Sequence, residues 1–469
     1  AALKTISSNI KNTDQISAMV PSSILSHRIL SAINSPHTQR AISFATNEYS
    51  KVKSAHREAI PSSSSGLCDF VYGNPRDTAL PAFLSSYHKY VEPLNTDWYA
   101  YCNTTNFNSQ PSRKIIASNL SKKLSPLSFE YEDIYLVTGN FGGLYTCLSM
   151  LLNKDDEVIF PIPSWFFYQS MIIACQAISI EVNININTYD LNIDDIKSKI
   201  NDKTKILIIN SPHNPSGKIY SLSTLQVLSD MLLDEYNKRQ QKYGHDAQPI
   251  WLISDEAYSR ILFNNNEFIS PASVYPYTFI CYTYAKTLLN PGIRLGYVAL
   301  SDQIPLNYRS LFRTYLPQTV VMNGYMVPDC VTQYMIQDIE TLSISIDIER
   351  LEKKLNMMLD ILLSIGYKIP KPQGTFYILV KSPLEDDQAF CRLLSKYNVL
   401  CLPGSVCCIP GYFRICLTAN EGMIERSQDG FKQAYQQAIS SSENDNNKDC
   451  SVITDKHTFP SSDDGSSLI

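Results

Sequence analysis

Asp255 and Glu256 close the apolar run WLIS and open the segment SDEAY at 254–258. Acids that follow a hydrophobic strand stand at the carboxyl end of a parallel sheet, where α/β folds bind ligands. Capping the next turn is the plain structural alternative for Asp255. Lys286 follows a second apolar run through Thr283-Tyr284-Ala285; taken alone, a lysine there is an ordinary strand end. Beyond the Pro291-Gly292 turn, Arg294 introduces the strand-like RLGYVAL at 294–300. A cation at the head of a central strand implies a bound anion or a buried ion pair, and a guanidinium meets phosphate with a directional fork. NSPHNPSG at 210–217 follows KILIIN, and two prolines with a glycine make a rigid loop around Asn214. Gly139-Asn140-Phe141-Gly142-Gly143 precedes a helical pattern, where free amides and a helix terminus suit phosphate. Each piece alone is weak.

The elements that must hold these residues alternate between strand and helix. VTG at 137–139 leads into LYTCLSMLL at 144–152, whose apolar spacing suits a helix packed on a sheet. EVIFP, ISIEVNI (178–184), KILIIN (205–210), WLISDE (251–256) and FICYTY (279–284) follow as strands. KILIIN and WLISDE are nearly continuously apolar, as parallel strands covered on both faces are. Ser223 is the expected cap of a helix carrying Leu225, Leu228, Met231, Leu232 and Tyr236, with Gly244 at its end. From 310–345 onward the texture changes. Asp347 caps an expected helix ending at Gly366, and GTFYILV, a helix over Asp387–Tyr397, VLCLPG and GYFRICL read as a smaller α+β unit. The expected fold is therefore α/β, with a mostly parallel mixed sheet in a large domain over 68–320 and a small domain over 321–439. Residues 1–67 read as an arm that partly joins the small domain, with a short helix over Ile24–Ile33. The polar run from 440 to 469 reads as disordered.

Composition narrows the function classes. The net charge of -5 gives no field for gathering nucleic acid, and no apolar stretch approaches bilayer length. The opening AALKTISSNIKNTDQ carries no signal-peptide pattern. The 12 cysteines are scattered without metal-site pairing, so free thiols in a reducing, cytoplasmic compartment are expected and no metal is.

The joint occurrence and order of NSPHNPSG, SDEAY, YAKTLLNPGIRLGY (284–297) and GYFRICLT (411–418) resemble the fold-type I pyridoxal-phosphate enzymes, specifically the class I/II aminotransferases of the aspartate aminotransferase superfamily, over about residues 68–438. That resemblance implies pyridoxal 5′-phosphate held as a Schiff base on Lys286, which also shuttles the substrate proton. It makes Asp255 the partner of the pyridine nitrogen, and Asn214 and Tyr258 the donors to the phenolic oxygen, with Asn214 also next to the substrate. Trp165 in PIPSWFFY becomes the ring-stacking aromatic; ordinary packing is its plain alternative. Arg294, Thr283 and backbone amides near Phe141 and Gly142 become the phosphate ligands. Arg414 becomes the clamp for the substrate α-carboxylate, which resolves the cost of burying a guanidinium in YFRICL. The resemblance also implies a homodimer, with Tyr101 reaching the partner's phosphate. Two departures stand out: the Gly139-Asn140 order in the phosphate turn, and VCCIPG after Pro403-Gly404, which puts Cys407 and Cys408 either near substrate or in the core. His213 reads as a support for Asn214.

Transamination between an L-amino acid and a 2-oxo acid, with ping-pong kinetics, is the leading expectation. A β- or γ-eliminating or cyclising lyase uses the same residues and stays open at this point. A silent binding protein is disfavoured, because the whole residue set is retained.

Overall fold

The computed structural model describes residues 25–59, 66–75, 79–94, 96–100 and 108–451. Its strands are β1 (Cys68–Asp69), β2 (Ile134–Val137), β3 (Glu157–Ile162), β4 (Ile178–Asn183), β5 (Thr204–Asn210), β6 (Trp251–Asp255), β7 (Thr278–Thr283), β8 (Gly296–Leu300), β9 (Tyr377–Lys381), β10 (Val399–Leu400), β11 (Leu402–Pro403) and β12 (Tyr412–Cys416).

Seven of these form one sheet in the order β2-β8-β7-β6-β5-β3-β4, in which β8 alone runs antiparallel to its neighbours. The apolar runs are continuous because both faces are covered. On β7, Phe279 and Cys281 enter a core with Leu144, Leu148, Leu225 and Leu232, while Ile280 and Tyr282 enter a second core with Ile116, Leu120, Ile336 and Ile339. The register aligns the chemically interesting ends. Asn210 lies opposite Asp255 and Asp255 opposite Cys281, while Thr283 lies opposite Gly296, which itself faces Val137. One edge of the sheet thus gathers residues that are far apart in sequence.

The smaller sheet has the order β11-β12-β9. It packs on the helix Ile348–Ile365, whose stripe Leu351, Leu355, Met358, Leu359 and Leu362 is buried with Ile378, Phe413 and Ile415. Asp347 caps that helix by accepting from the Arg350 amide, and Gly366 ends it at φ 113°. β1 pairs in parallel with β10, which ties Cys68–Asp69 to this C-terminal unit.

Several local expectations shift. The first described helix begins at His27, and the helix Leu222–Tyr243 is capped by Ser221, not Ser223: the Ser221 hydroxyl accepts from the Thr224 amide. Both serines suit a cap, and the one three residues ahead of a free amide takes the role. The helix from Glu421 continues to Ser451, into the polar run. The described cysteines are free thiols. Among the described residues no helix is long and apolar enough to cross a membrane.

Candidate active site

A cleft of about 1010 Å³ opens over the carboxyl ends of β5, β6 and β7. Asp255, Lys286, Arg294, Asn214, Tyr258 and Thr283 all line it, as do Phe141, Gly142 and Trp165. Of the residues singled out in sequence, Arg414 is not among those lining the cleft and joins the group through its hydrogen bond to Asn214, and Tyr101 is treated below.

Asp255 is buried and accepts three hydrogen bonds: from the Tyr168 hydroxyl at 2.5 Å, from Asn140 Nδ2 at 2.6 Å and from the Ala257 amide at 3.2 Å. Burial raises its pKa, and the three donors together with the Lys286 charge pull the other way. Donors fixed on both oxygens commit the group to accepting, so a cation placed against it satisfies what burial leaves unmet. Lys286 lies in the short helix Tyr284–Thr287 directly after β7. Burial lowers its amine to about 8, and Arg414 and Arg294 add to the effect, against Cys416 and Asp255.

Arg294 is exposed to the cleft at the mouth of β8, donating to the Pro291 carbonyl at 2.9 Å. It has no acidic partner among the described residues, so the buried ion pair considered for it is not there. Its guanidinium lies against Gly139, where an added Cβ would come within 2.6 Å of Nη2, and Gly139 sits at φ 72°. Gly139 begins the helix Gly139–Leu151, whose first-turn amides, Phe141 and Gly142 included, have no intrahelical acceptor. The Gly-Asn order is thereby explained: glycine makes room for the arginine, and Asn140 turns back to Asp255. A carboxylate acceptor, a low-pKa amine and an arginine beside a helix terminus fit a phosphorylated pyridine aldehyde.

Thr283 is placed in the cleft, but its hydroxyl donates to the Leu295 carbonyl at 3.0 Å and accepts from the Ala285 amide at 3.2 Å. It fixes the turn that presents Lys286. Tyr101 falls outside the described residues. Trp165 meets Phe141 edge to face at 4.5 Å between centroids and 77°.

The Asn214 loop is held from beneath. Asn210 accepts from the Asn214 amide at 2.8 Å and donates to the Asp255 carbonyl at 2.8 Å. His213 Nε2 lies 3.0 Å from the Pro163 carbonyl, which can only accept, so Nε2 carries the proton and Nδ1 accepts from Ser216 Oγ at 2.7 Å. Burial pushes this imidazole down to about 4. The Asn214 side chain then accepts from Arg414 Nη1 at 2.9 Å. Arg414 is buried, gives Nη2 to the Val71 carbonyl at 3.1 Å, and retains a buried Nε–H with no hydrogen-bond partner. Cys407 belongs to the core with Phe44, Val71 and Leu402. Cys408 sits farther out, accepting from Arg40 at 3.0 Å, with His37 Nε2 at the same distance.

The support that Tyr168 and Asn140 give to Asp255, and that Asn210 gives to Asn214, escaped the sequence reading, although Asn140 and Asn210 lie within its motifs. Tyr168 had a usable signal, standing one helical turn beyond Trp165 in WFFY; Asn210 had another as the last residue of KILIIN.

Residues 103–428 match the family aminotransferase class I and II. A probable aspartate/prephenate aminotransferase of Aquifex aeolicus is 26% identical over 68% of this chain and 79% of its own. One from Rickettsia typhi is 28% identical over 70% and 83%. Among solved structures, an amino transferase from Eubacterium rectale superposes with a TM-score of 0.75 at 26% identity, covering 83% of this chain and 96% of that one. The aspartate aminotransferase of Thermus thermophilus with maleate gives 0.72 at 20% identity over 87% and 99%, a likeness of fold. The chain belongs to the aminotransferase class I and II family, and amino-group transfer is the reaction these comparisons support over elimination or cyclisation.

Proposed function

We propose that this enzyme moves an amino group from an L-amino acid to a 2-oxo acid with pyridoxal 5′-phosphate carried on Lys286. The observation that supports it is the meeting of the Lys286 amine, the Asp255 carboxylate and the Arg294 guanidinium in one cleft. When bound, pyridoxal phosphate supplies a carbonyl that exchanges between amines and a ring that accepts electron density from the substrate α-carbon.

The protein's own residues do the rest. Asp255 holds the ring nitrogen's proton, with Tyr168 and Asn140 keeping its carboxylate oriented. Arg294 and the amides of Phe141 and Gly142 take the phosphate, and Trp165 covers one ring face. Asn214 and Tyr258 address the phenolic oxygen. The Lys286 amine, lowered to about 8, is partly neutral near physiological pH and can take the α-proton and return it. Arg414 binds the substrate α-carboxylate. In this reading the enzyme is a cytoplasmic homodimer, and Tyr101 of each protomer reaches the partner's phosphate.

The test is spectroscopic. Pyridoxal phosphate added to the purified protein should give a visible band, and borohydride should fix the label on Lys286. One equivalent of an amino donor, without acceptor, should move the band stoichiometrically to that of pyridoxamine phosphate. Consumption of the donor with the band restored and no amine retained would point to elimination instead. Sedimentation at working concentration addresses the dimer.

A further inference from the structure

Arg414 is held from its edges by Asn214 and by the Val71 carbonyl, but its face is held by another residue. The guanidinium carbon lies 4.0 Å from the centroid of the Tyr377 ring. The strand register makes this contact. On the β9–β12 ladder Arg414 stands opposite Leu379 and Cys416 opposite Tyr377, so Tyr377 is the diagonal neighbour of Arg414 on the same side of the sheet. The ring is buried, and its hydroxyl accepts from Tyr258 at 3.3 Å. Burial pushes the Tyr377 phenol up to about 12, against the pull of Arg414, so at working pH it is a neutral ring. A ring face beneath a desolvated cation is attractive and restricts the guanidinium to one plane.

We infer that Tyr377 is a positioning residue for the substrate α-carboxylate, its ring fixing the plane in which Arg414 presents its remaining N–H donors. Two of the five guanidinium N–H bonds are spent on Asn214 and Val71. The Nε–H is buried and unpartnered. A planar fork grips a carboxylate with two parallel bonds only if its plane is set beforehand. Asn214 and Val71 restrain positions within that plane; the ring restrains tilt out of it. The inference rests on the reading of Arg414 as the carboxylate clamp.

Tyr377→Leu removes the ring and Tyr377→Phe keeps it without the hydroxyl. With cofactor-loaded protein, calorimetry should show 3-phenylpropanoate, a non-reacting carboxylate, bound roughly 3- to 30-fold more weakly by Tyr377→Leu and within about twofold of wild type by Tyr377→Phe. KM for phenylalanine should rise by the same factor with kcat changed less, while phenethylamine, which has no carboxylate, keeps its kinetics. Tyr377→Met replaces the leucine variant if that one loses its cofactor band. Equal effects on the acid and the amine, no effect on either, or a loss in Tyr377→Phe matching that in Tyr377→Leu would each overturn the inference. Wild-type protein that forms the band but does not discriminate phenylalanine from phenethylamine would instead remove the clamp reading, whatever Tyr377 does.

Discussion

The Tyr168 hydroxyl donates to Asp255 at 2.5 Å, and it does so from the helix that begins three residues after Trp165, so one short segment supplies both a wall of the cleft and a support for its acid. A bond to a charged acceptor contributes about 1.5–3 kcal/mol. Tyr168→Phe should therefore lower kcat roughly 10- to 150-fold while leaving the visible band in place. The sign of its pH effect is fixed: the lost donor held the Asp255 pKa down, so the acid limb of the rate profile should move to higher pH. Asp255→Asn should cost far more, by several orders of magnitude. A profile unmoved in Tyr168→Phe would show that the bond is packing alone.

Lys286 leads to a prediction about assembly of the holoenzyme. The neutral amine is the form that captures an aldehyde, and its pKa is lowered to about 8. The rate of pyridoxal phosphate uptake by cofactor-free protein should rise about tenfold per pH unit below that point and level off above it. An ordinary lysine would still be climbing toward about 10.4. Stopped-flow absorbance across this range checks it. Lys286→Ala should keep some noncovalent cofactor and lose turnover almost completely.

Gly139→Ala tests the seat of Arg294. The new methyl would sit 2.6 Å from the guanidinium on a backbone at φ 72°, so Arg294 must move and the turn is strained by about 1–2 kcal/mol. Cofactor dissociation should become at least tenfold easier, with little effect on which amino acid is preferred. Arg294→Ala should resemble it. The double variant should be little worse than either single one, because both disturb the same contact. Equilibrium dialysis of the cofactor measures all three.

His213 sets an acid limit on stability. Its folded pKa, about 4, lies below the unfolded value of about 6.5, so the unfolded chain binds the proton first as pH falls. Stability contributed by the neutral imidazole is complete above pH 6.5 and is lost progressively down to about 4, some 3 kcal/mol at most. In His213→Phe the urea midpoint should fall less between pH 6.5 and 4.5 than in wild type. Identical slopes would remove His213 from the account.

The large sheet was legible because KILIIN and WLISDE each declare a strand buried on both faces, with FICYTY continuing the series, and the acids that end WLISDE mark the edge where chemistry collects. Lys286, Asp255, Arg294 and Arg414 are charges at the end or in the middle of apolar runs, and the joint order of their motifs, through its resemblance to one family, is what singled them out. What did not show was mutual support. Nothing in the sequence says that Asn140 bends back to Asp255, a residue 115 positions later, or that Tyr377 lies diagonally across from Arg414. Such pairings are set by register and by the path of loops, not by local pattern. Thr283 shows the converse: a hydroxyl at the right address is occupied in making the turn.

The pairing of β1 with β10 has a consequence for how the protein is made. Asp255 ends a strand of the large sheet, and Asn214, Lys286 and Arg294 flank its strands, the last of which ends at Leu300. Arg414, emitted late, instead meets the carbonyl of Val71, emitted early, across a β1–β10 pairing that closes the chain on itself. During synthesis the residues around Lys286 are thus complete while Arg414 and the strand that Cys68–Asp69 pairs with are still to come. At about 5–20 residues per second the ribosome leaves that interval open for several seconds.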